Sequence, residues 1–99
     1  MQLVRKNGNY NGEEKRRGTL DIVAGILEEA ITGTVKTRIM YRANLSYSQL
    51  KCYLDRLVTV GLLDTEKNGK DSVLYRTTDK GKVFLSSYAE IQRFLTPES

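Results

Sequence analysis

A short break between two helical patterns constrains the fold of this chain more than any other feature of its sequence. The apolar residues of Lys36–Ala43 recur at helical spacing, the pattern stops at Asn44, and a second helical pattern opens at Ser46. Ser46 and Gln49 match the S-x-x-Q capping box, in which two side chains satisfy backbone N–H groups at the start of a helix. The sequence therefore predicts two helices joined by a turn of only a few residues.

The second of these helices, running to about Val60, has a core face and an open face. At about 100° per residue, the apolar stripe consists of Leu50, Tyr53, Leu54, Leu57 and Val58, with Tyr47 at its edge. The opposite side carries Ser48, Cys52, Asp55 and Thr59, flanked by Lys51 and Arg56. We expect the stripe to be buried and the other side to be available to a partner.

The remaining segments predict one more helix before this pair, and a hairpin and a helix after it. The first helix starts at Thr19, stops before Gly33 and has the apolar row Leu20, Val23, Ile26, Leu27, Ala30 and Ile31. Two strands, Leu62–Glu66 and Ser72–Thr77, flank an Asn-Gly pair, which favours a tight hairpin because both residues tolerate positive φ. Thr78 is the expected cap of a last helix that begins at Asp79.

This order of elements is that of an α+β, mainly α, winged helix-turn-helix, with three helices and a two-stranded wing. We divide the chain into a flexible basic arm over residues 1–18, a winged-helix domain over 19–78, and a C-terminal helix over 79–99. In such a domain the third helix enters the DNA major groove and the hairpin forms the wing.

The charge distribution suggests a surface that faces a polyanion, although a net charge of this size is also common in proteins that merely stay soluble. The net charge is +4, and residues 34–61 alone carry five basic residues against one acidic residue. The chain has no His and a single cysteine, Cys52, so we expect no zinc site, no Cys-His chemistry and no cofactor. An enzyme is the least favoured class, and no catalytic residue is assigned. No apolar run is long enough to cross a membrane, and no secretory signal pattern is present, so we expect a cytoplasmic, nucleoid-associated protein.

Several segments carry a resemblance to a known family. They are Thr37–Tyr47, Gln49-Leu50, Tyr53-Leu54, Gly61–Leu63, Tyr75–Gly81 and Phe84-Leu85. These residues resemble the archaeal winged-helix family that includes the small dimeric ten-a DNA-binding proteins. The resemblance implies a basic DNA-binding protein, often a two-fold dimer built through antiparallel C-terminal helices. The apolar row of the last helix here covers fewer than two heptads, which is short for a self-standing coiled coil.

The candidate site residues fall into three sets. Groove contacts to bases are expected from Ser48, Lys51, Cys52, Asp55 and Arg56. Phosphate contacts are expected from Lys36, Arg38, Arg42, Lys67 and Lys70. A homodimer interface through the C-terminal helix is expected from Tyr88, Ile91, Phe94 and Leu95.

Each set has a plainer interpretation. The phosphate-contacting residues could form an ordinary solvated face. Asp55 is repelled by phosphates, so an i,i+4 pair with Lys51 is at least as well supported as a base contact. Cys52 is better explained as a tolerated small residue than as a redox sensor.

Double-stranded DNA binding, as a transcriptional regulator or a chromatin-associated protein, is thus the favoured function. The main alternative is a winged-helix module that docks onto other proteins, because fold alone does not fix function. RNA binding is a lesser option, since exposed aromatic stacking residues are not evident on the third helix. Operator-specific and non-specific binding are not separated by the sequence.

Overall fold

The computed structural model describes residues 18–96, which form four helices and one two-stranded antiparallel sheet. The elements are α1 (Thr19–Glu29), α2 (Lys36–Ala43), α3 (Tyr47–Thr59), β1 (Leu63–Lys67), β2 (Val73–Thr77) and α4 (Asp79–Leu95). This order confirms the predicted winged helix. The predicted basic arm, apart from Gly18, and the segment from Pro97 onward lie outside the described residues.

One apolar core lies where α1, α2, α3 and the start of the hairpin meet. Its largest fully buried side chains are Ile26, Leu27, Ile39, Leu50 and Leu63. Phe84 and Leu85 of α4 are partly buried against the same core. The buried residues of α1, α2 and α3 recur three or four apart, as an amphipathic helix must when only one stripe is covered. The core therefore fixes which face of α3 remains outside.

The turn between α2 and α3 is built by local chemistry. Asn44 ends α2 with φ 56° and ψ 53°, a left-handed conformation that Asn tolerates better than most residues. The Ser46 hydroxyl accepts the N–H of Gln49 at 3.2 Å, and the Gln49 side chain accepts the N–H of Ser46 at 2.9 Å. Both halves of the predicted capping box are present. They set the point at which α3 begins.

Removal of this cap gives a measurable loss of stability. A Ser46→Ala variant should lower the free energy of unfolding by about 1 kcal/mol, because the first turn of α3 then keeps an unsatisfied N–H group. Chemical denaturation followed by circular dichroism measures the change. Ser86→Ala, at an exposed position inside α4, is the matched control and should be neutral or slightly stabilising. Equal stability of the two variants would contradict the role of the cap.

The hairpin forms as predicted, with strand bounds that differ by one residue. β1 pairs with β2 from Leu63 opposite Thr77 to Lys67 opposite Val73, so the first strand begins and ends one residue later than expected. The N–H of Asn68 bonds to the carbonyl of Ser72 at 2.9 Å, and Gly69 has φ 85° while Asn68 does not have a positive φ. The loop has five residues, as the predicted strands implied, but it runs over residues 68–72, and of the Asn-Gly pair only Gly69 is left-handed.

Gly33 and the hairpin both act at the end of α1. Gly33 has φ 92° and its N–H bonds to the carbonyl of Ala30 at 3.0 Å, as expected of a glycine that follows a helix. The helix stops at Glu29, earlier than the apolar row suggested. The carbonyl of Ala30 accepts the N–H of Thr77 at 2.9 Å, and the carbonyl of Leu27 accepts the Thr77 hydroxyl at 2.6 Å. These bonds from β2 satisfy carbonyls that a further helical turn would otherwise use. The buried Thr77 therefore joins α1 to the wing.

The start of α4 is capped as predicted. The Thr78 hydroxyl accepts the N–H of Gly81 at 3.0 Å and donates to the carbonyl of Gly61 at 2.6 Å. One side chain thus begins α4 and ties it to the turn that ends α3. The bond to Gly61 holds the start of α4 next to the residues that lead into β1.

Three residues expected in the core are exposed instead. Leu20 lies in the first turn of α1 and is 56% exposed, and Ile31 lies beyond the end of α1. Val58 is 38% exposed because it lies about 70° around α3 from the mean direction of the three buried leucines. These predictions were wrong because helical spacing gives the direction of a side chain but not the extent of what covers it.

Candidate nucleic-acid interface

The outer face of α3 is a continuous open surface. Leu50, Leu54 and Leu57 hold the helix against the core and are each no more than 4% exposed. The five predicted groove residues lie on the opposite side and are all exposed: Ser48, Lys51, Cys52, Asp55 and Arg56. The structure therefore brings these residues together on one face of one helix, and their contact with DNA stays a prediction.

Lys51 and Asp55 form an ion pair on this face. Lys51 Nζ lies 3.4 Å from Asp55 Oδ2, and the two side chains are 63% and 70% exposed. An ion pair this exposed contributes little to the stability of the fold, because water competes for both groups. Lys51 can leave Asp55 for a stronger acceptor, so the pair does not hold Lys51 away from an incoming ligand.

Tyr47 was wrongly expected at the edge of the core. It is 57% exposed, and the ammonium of Lys36 lies 5.4 Å from the centre of its ring, a cation–π contact. Tyr47 is the first residue of α3 after its cap, so it projects past the end of the core. The position of the capping box was the signal in the sequence that could have found it. The contact places Lys36 beside the N-terminus of α3.

A shallow cleft separates α3 from the hairpin. Its two parts share Leu54, Asp55 and Tyr75 in their walls. Tyr75 is held in place by backbone bonds in both directions with Thr34, at 3.0 and 2.7 Å. These bonds fix the wing to the segment that precedes α2. Tyr75 is a surface residue of this cleft that the sequence analysis did not single out.

The wing is charge-balanced. Lys67, predicted in the turn, is the last residue of β1, Lys70 lies in the loop as expected, and both are exposed. The acidic residues of the same hairpin are Asp64, Glu66 and Asp71. Arg76 Nη2 lies 3.0 Å from Glu66 Oε2, so this pair neutralises itself across the strands. The positive charge of the wing is thus confined to its tip.

The three basic residues of α2 do not share one surface. Lys36 lies beside Tyr47, on the side of α3. Arg38 and Arg42 lie one turn apart on the side of α1, where both contact Glu29. At about 100° per residue, Lys36 and Arg38 are about 200° apart around the helix. The structure therefore places the predicted phosphate contacts of α2 on two flanks.

Tyr88 of α4, predicted in a dimer interface, is bound to its own chain. Its hydroxyl donates to the carboxylate of Asp21 and accepts from Gln92 Nε2 at 3.0 Å. Its ring stacks on that of Phe84, with centroids 6.4 Å apart and planes 9° from parallel. The bond to Asp21 raises the pKa of Tyr88 because it favours the neutral phenol. These contacts fasten α4 to α1.

The last two turns of α4 carry an exposed apolar surface. Ile91 is 51% exposed, Phe94 81% and Leu95 76%. Large apolar side chains in this number at one helix end are unusual on a surface that faces water alone. Ile91, Phe94 and Leu95 are thus exposed in the described part of the chain, whereas Tyr88 contacts its own chain, and a dimer interface at these residues stays a prediction.

Two other kinds of site have no candidate in the described part of the chain. Residues 18–96 contain no group of three or more His, Cys, Asp or Glu side chains close enough to hold a metal ion. None of the helices in this range combines the length and the apolar character needed to cross a membrane.

The comparisons with known proteins agree with this architecture. Residues 16–96 match the model of a family described as winged helix-turn-helix. An uncharacterised protein of Methanocaldococcus jannaschii is 30% identical over 86 residues, which is 86% of this chain and 84% of that protein. The structure is similar to that of Sso10a-2, a DNA-binding protein from Sulfolobus solfataricus, with a TM-score of 0.67 and 33% identity over 80% of this chain and 85% of that one.

A second solved structure supports the fold. A mutant of MarR from E. coli, complexed with operator DNA, gives a TM-score of 0.62 with 20% identity over 74% of this chain and 52% of that chain. This likeness concerns the architecture alone. The match over residues 16–96, together with the archaeal relatives, confirms the resemblance drawn from the sequence: the chain belongs to the winged helix-turn-helix family.

Proposed function

We propose that this protein binds double-stranded DNA and acts as a transcriptional regulator or a chromatin-associated protein of the nucleoid. The observation that carries the proposal is the outer face of α3, where Ser48, Lys51, Cys52, Asp55 and Arg56 are exposed on a helix fixed from behind by three buried leucines. A helix held in this way can enter a major groove and present side chains to base edges. Similarity to the DNA-binding protein Sso10a-2 supports the same function.

The groove residues have distinct roles in this proposal. Lys51 and Arg56 donate to guanine acceptors, and Asp55 accepts from cytosine or remains paired with Lys51. Ser48 and Cys52 are small enough to let the helix approach the bases. Sequence preference should therefore depend on Lys51 and Arg56.

Basic residues on both sides of the outer face of α3 contact phosphates in this proposal. Lys36 lies at one end of α3, next to Tyr47, and Lys67 and Lys70 lie at the tip of the wing. Arg38 and Arg42 reach a further part of the backbone on the α1 side of α2. Such contacts position a protein without reading sequence, so their removal should weaken binding to every duplex.

The proposal includes a homodimer built through α4. The exposed Ile91, Phe94 and Leu95 form the surface that a second copy would cover. A two-fold dimer places two α3 helices on one duplex, which gives palindromic half-sites if binding is operator-specific. A chromatin protein would bind without such preference.

The test is a fluorescence-anisotropy titration with random duplex DNA and with a pool of selected sites, repeated across salt concentrations. We expect affinity to fall steeply with salt, with a log–log slope near −0.9 for each neutralised phosphate. Enrichment of a palindromic site would identify a specific regulator, and its absence a chromatin role. If neither DNA binds at low salt, the proposal fails and the open faces of α3 and α4 become docking surfaces for protein partners.

Single substitutions separate the two kinds of contact. Lys51→Ala should reduce the preference for a selected site by about tenfold, because one base contact is lost. Lys36→Ala should weaken binding to all duplexes and make the salt slope shallower by about 1. Lys82→Ala removes the same charge from an exposed position on α4 and serves as the control. If Lys51→Ala and Arg56→Ala leave both affinity and preference unchanged, the groove assignment is wrong.

A further inference from the structure

Glu29 lies between two arginines that belong to the next helix. It is the last residue of α1, and its side chain is only 19% exposed. Its Oε2 lies 3.2 Å from Arg38 Nε, and its Oε1 lies 3.3 Å from Arg42 Nε. One carboxylate therefore uses each of its oxygens on a different guanidinium.

The geometry leaves most of both arginines free. In each case the nearest nitrogen to Glu29 is Nε, and the Arg38 and Arg42 side chains are 68% and 72% exposed. A guanidinium carries five N–H donors in a planar fork, so one contact through Nε leaves the terminal amino groups able to bind another anion. The carboxylate and a phosphate can thus occupy the same arginine together.

We infer that Glu29 is a positioning residue for DNA binding: it holds Arg38 and Arg42 side by side so that their terminal amino groups meet the phosphate backbone. This inference rests on the proposed function. Long arginine side chains lose rotamer freedom when they bind, and a partner that orders them beforehand removes part of that loss. Glu29 is well suited to this because its own side chain is largely covered by the protein.

The negative charge of Glu29 acts in the opposite direction, but more weakly. A carboxylate near phosphates is repulsive, but the two guanidiniums beside it carry one more unit of charge than Glu29 cancels, and salt screens its effect on phosphates more than about 8 Å away. Pre-ordering acts on two side chains at once. The positioning effect should therefore exceed the repulsion, and removal of Glu29 should weaken binding.

The experiment is a double-mutant cycle on random duplex DNA. Glu29→Ala should weaken binding about three- to tenfold. In a chain that already carries Arg38→Ala and Arg42→Ala, the same change should cause no further loss and should strengthen binding slightly, because the carboxylate left without its arginines repels phosphate. Glu29→Gln keeps one acceptor oxygen and should recover part of the loss. A purely structural role would give the same loss in both backgrounds, and the thermal unfolding of each variant shows that it is folded.

Each other outcome overturns a particular claim. If Glu29→Ala binds DNA as tightly as the unmodified chain, or more tightly, Glu29 does not position the arginines. An equal loss with and without the two arginines also overturns the inference while the proposed function stands. If the unmodified chain binds no duplex at low salt, the proposed function fails and the inference fails with it.

Discussion

A Gly81→Ala variant should have a free energy of unfolding about 2 kcal/mol lower than that of the unmodified chain. Gly81 is buried in the first turn of α4, against the start of the hairpin. A Cβ on this residue would lie 2.5 Å from the carbonyl oxygen of Leu62 and 2.6 Å from Thr77 Cγ2. Both distances are far below van der Waals contact, so α4 or the hairpin has to move.

Neither neighbour can move cheaply. The Leu62 carbonyl accepts the N–H of Thr78 at 3.1 Å, and the Thr77 hydroxyl is bonded to Leu27 in the core. Alanine gains up to about 1 kcal/mol over glycine inside a helix, but the clash with backbone outweighs that gain. The hydroxyl of Thr78 would also lose its alignment with the N–H of residue 81.

The same substitution at Gly25 is the matched control, and the expected sign is opposite. Gly25 lies in the middle of α1, is exposed, and has no atom within 4 Å of the position that an added Cβ would take. Gly25→Ala should raise the free energy of unfolding by about 0.5–1 kcal/mol. Urea unfolding followed by circular dichroism measures both variants. If the two variants are equally stable, α4 does not dock on the hairpin as described.

Replacing Phe94 and Leu95 together by glutamate should give a monomer and lower the apparent affinity for duplex DNA by about 100-fold. In the proposed dimer these side chains are covered by a second copy, and two carboxylates cannot be buried there without a large desolvation cost. A monomer loses the second binding unit, so it loses the gain from two linked sites on one duplex.

The chain should remain folded in this variant. Phe94 and Leu95 are 81% and 76% exposed, so they contribute little to the core of their own chain. Ser86→Glu places one carboxylate on another exposed part of α4 and should leave both mass and affinity unchanged. Light scattering gives the mass and anisotropy gives the affinity. A monomeric mass for the unmodified chain at micromolar concentration would contradict the dimer proposal.

The sequence predicted best where structure depends on residues close together in the chain. The bounds of α2, the break at Asn44, the capping box at Ser46 and the cap at Thr78 were all readable. Each depends on a side chain and a backbone group no more than four residues apart. The open face of α3 was also predicted, because three buried leucines determine which side of a helix is left outside.

The sequence predicted less well where structure depends on contacts between distant segments. The bond between Thr77 and Leu27 near the end of α1 joins residues 50 positions apart, and the exposure of Tyr47 depends on how far the core extends past α3. The ion pairs of Glu29 join residues 9 and 13 positions away on another helix. The hydrogen bond between Tyr88 and Asp21 joins residues 67 positions apart. Periodicity contains no information about such pairs.

The sequence by itself therefore determined the element order, the winged-helix fold and the face of α3 that stays open, because capping and helical spacing are local. Only the tertiary structure decided which flank of α2 each basic residue occupies, and that Tyr88 serves its own chain while Phe94 and Leu95 remain exposed. Those outcomes depend on how α1 packs against α2 and α4. Side chains far apart in the chain meet only after that packing has formed.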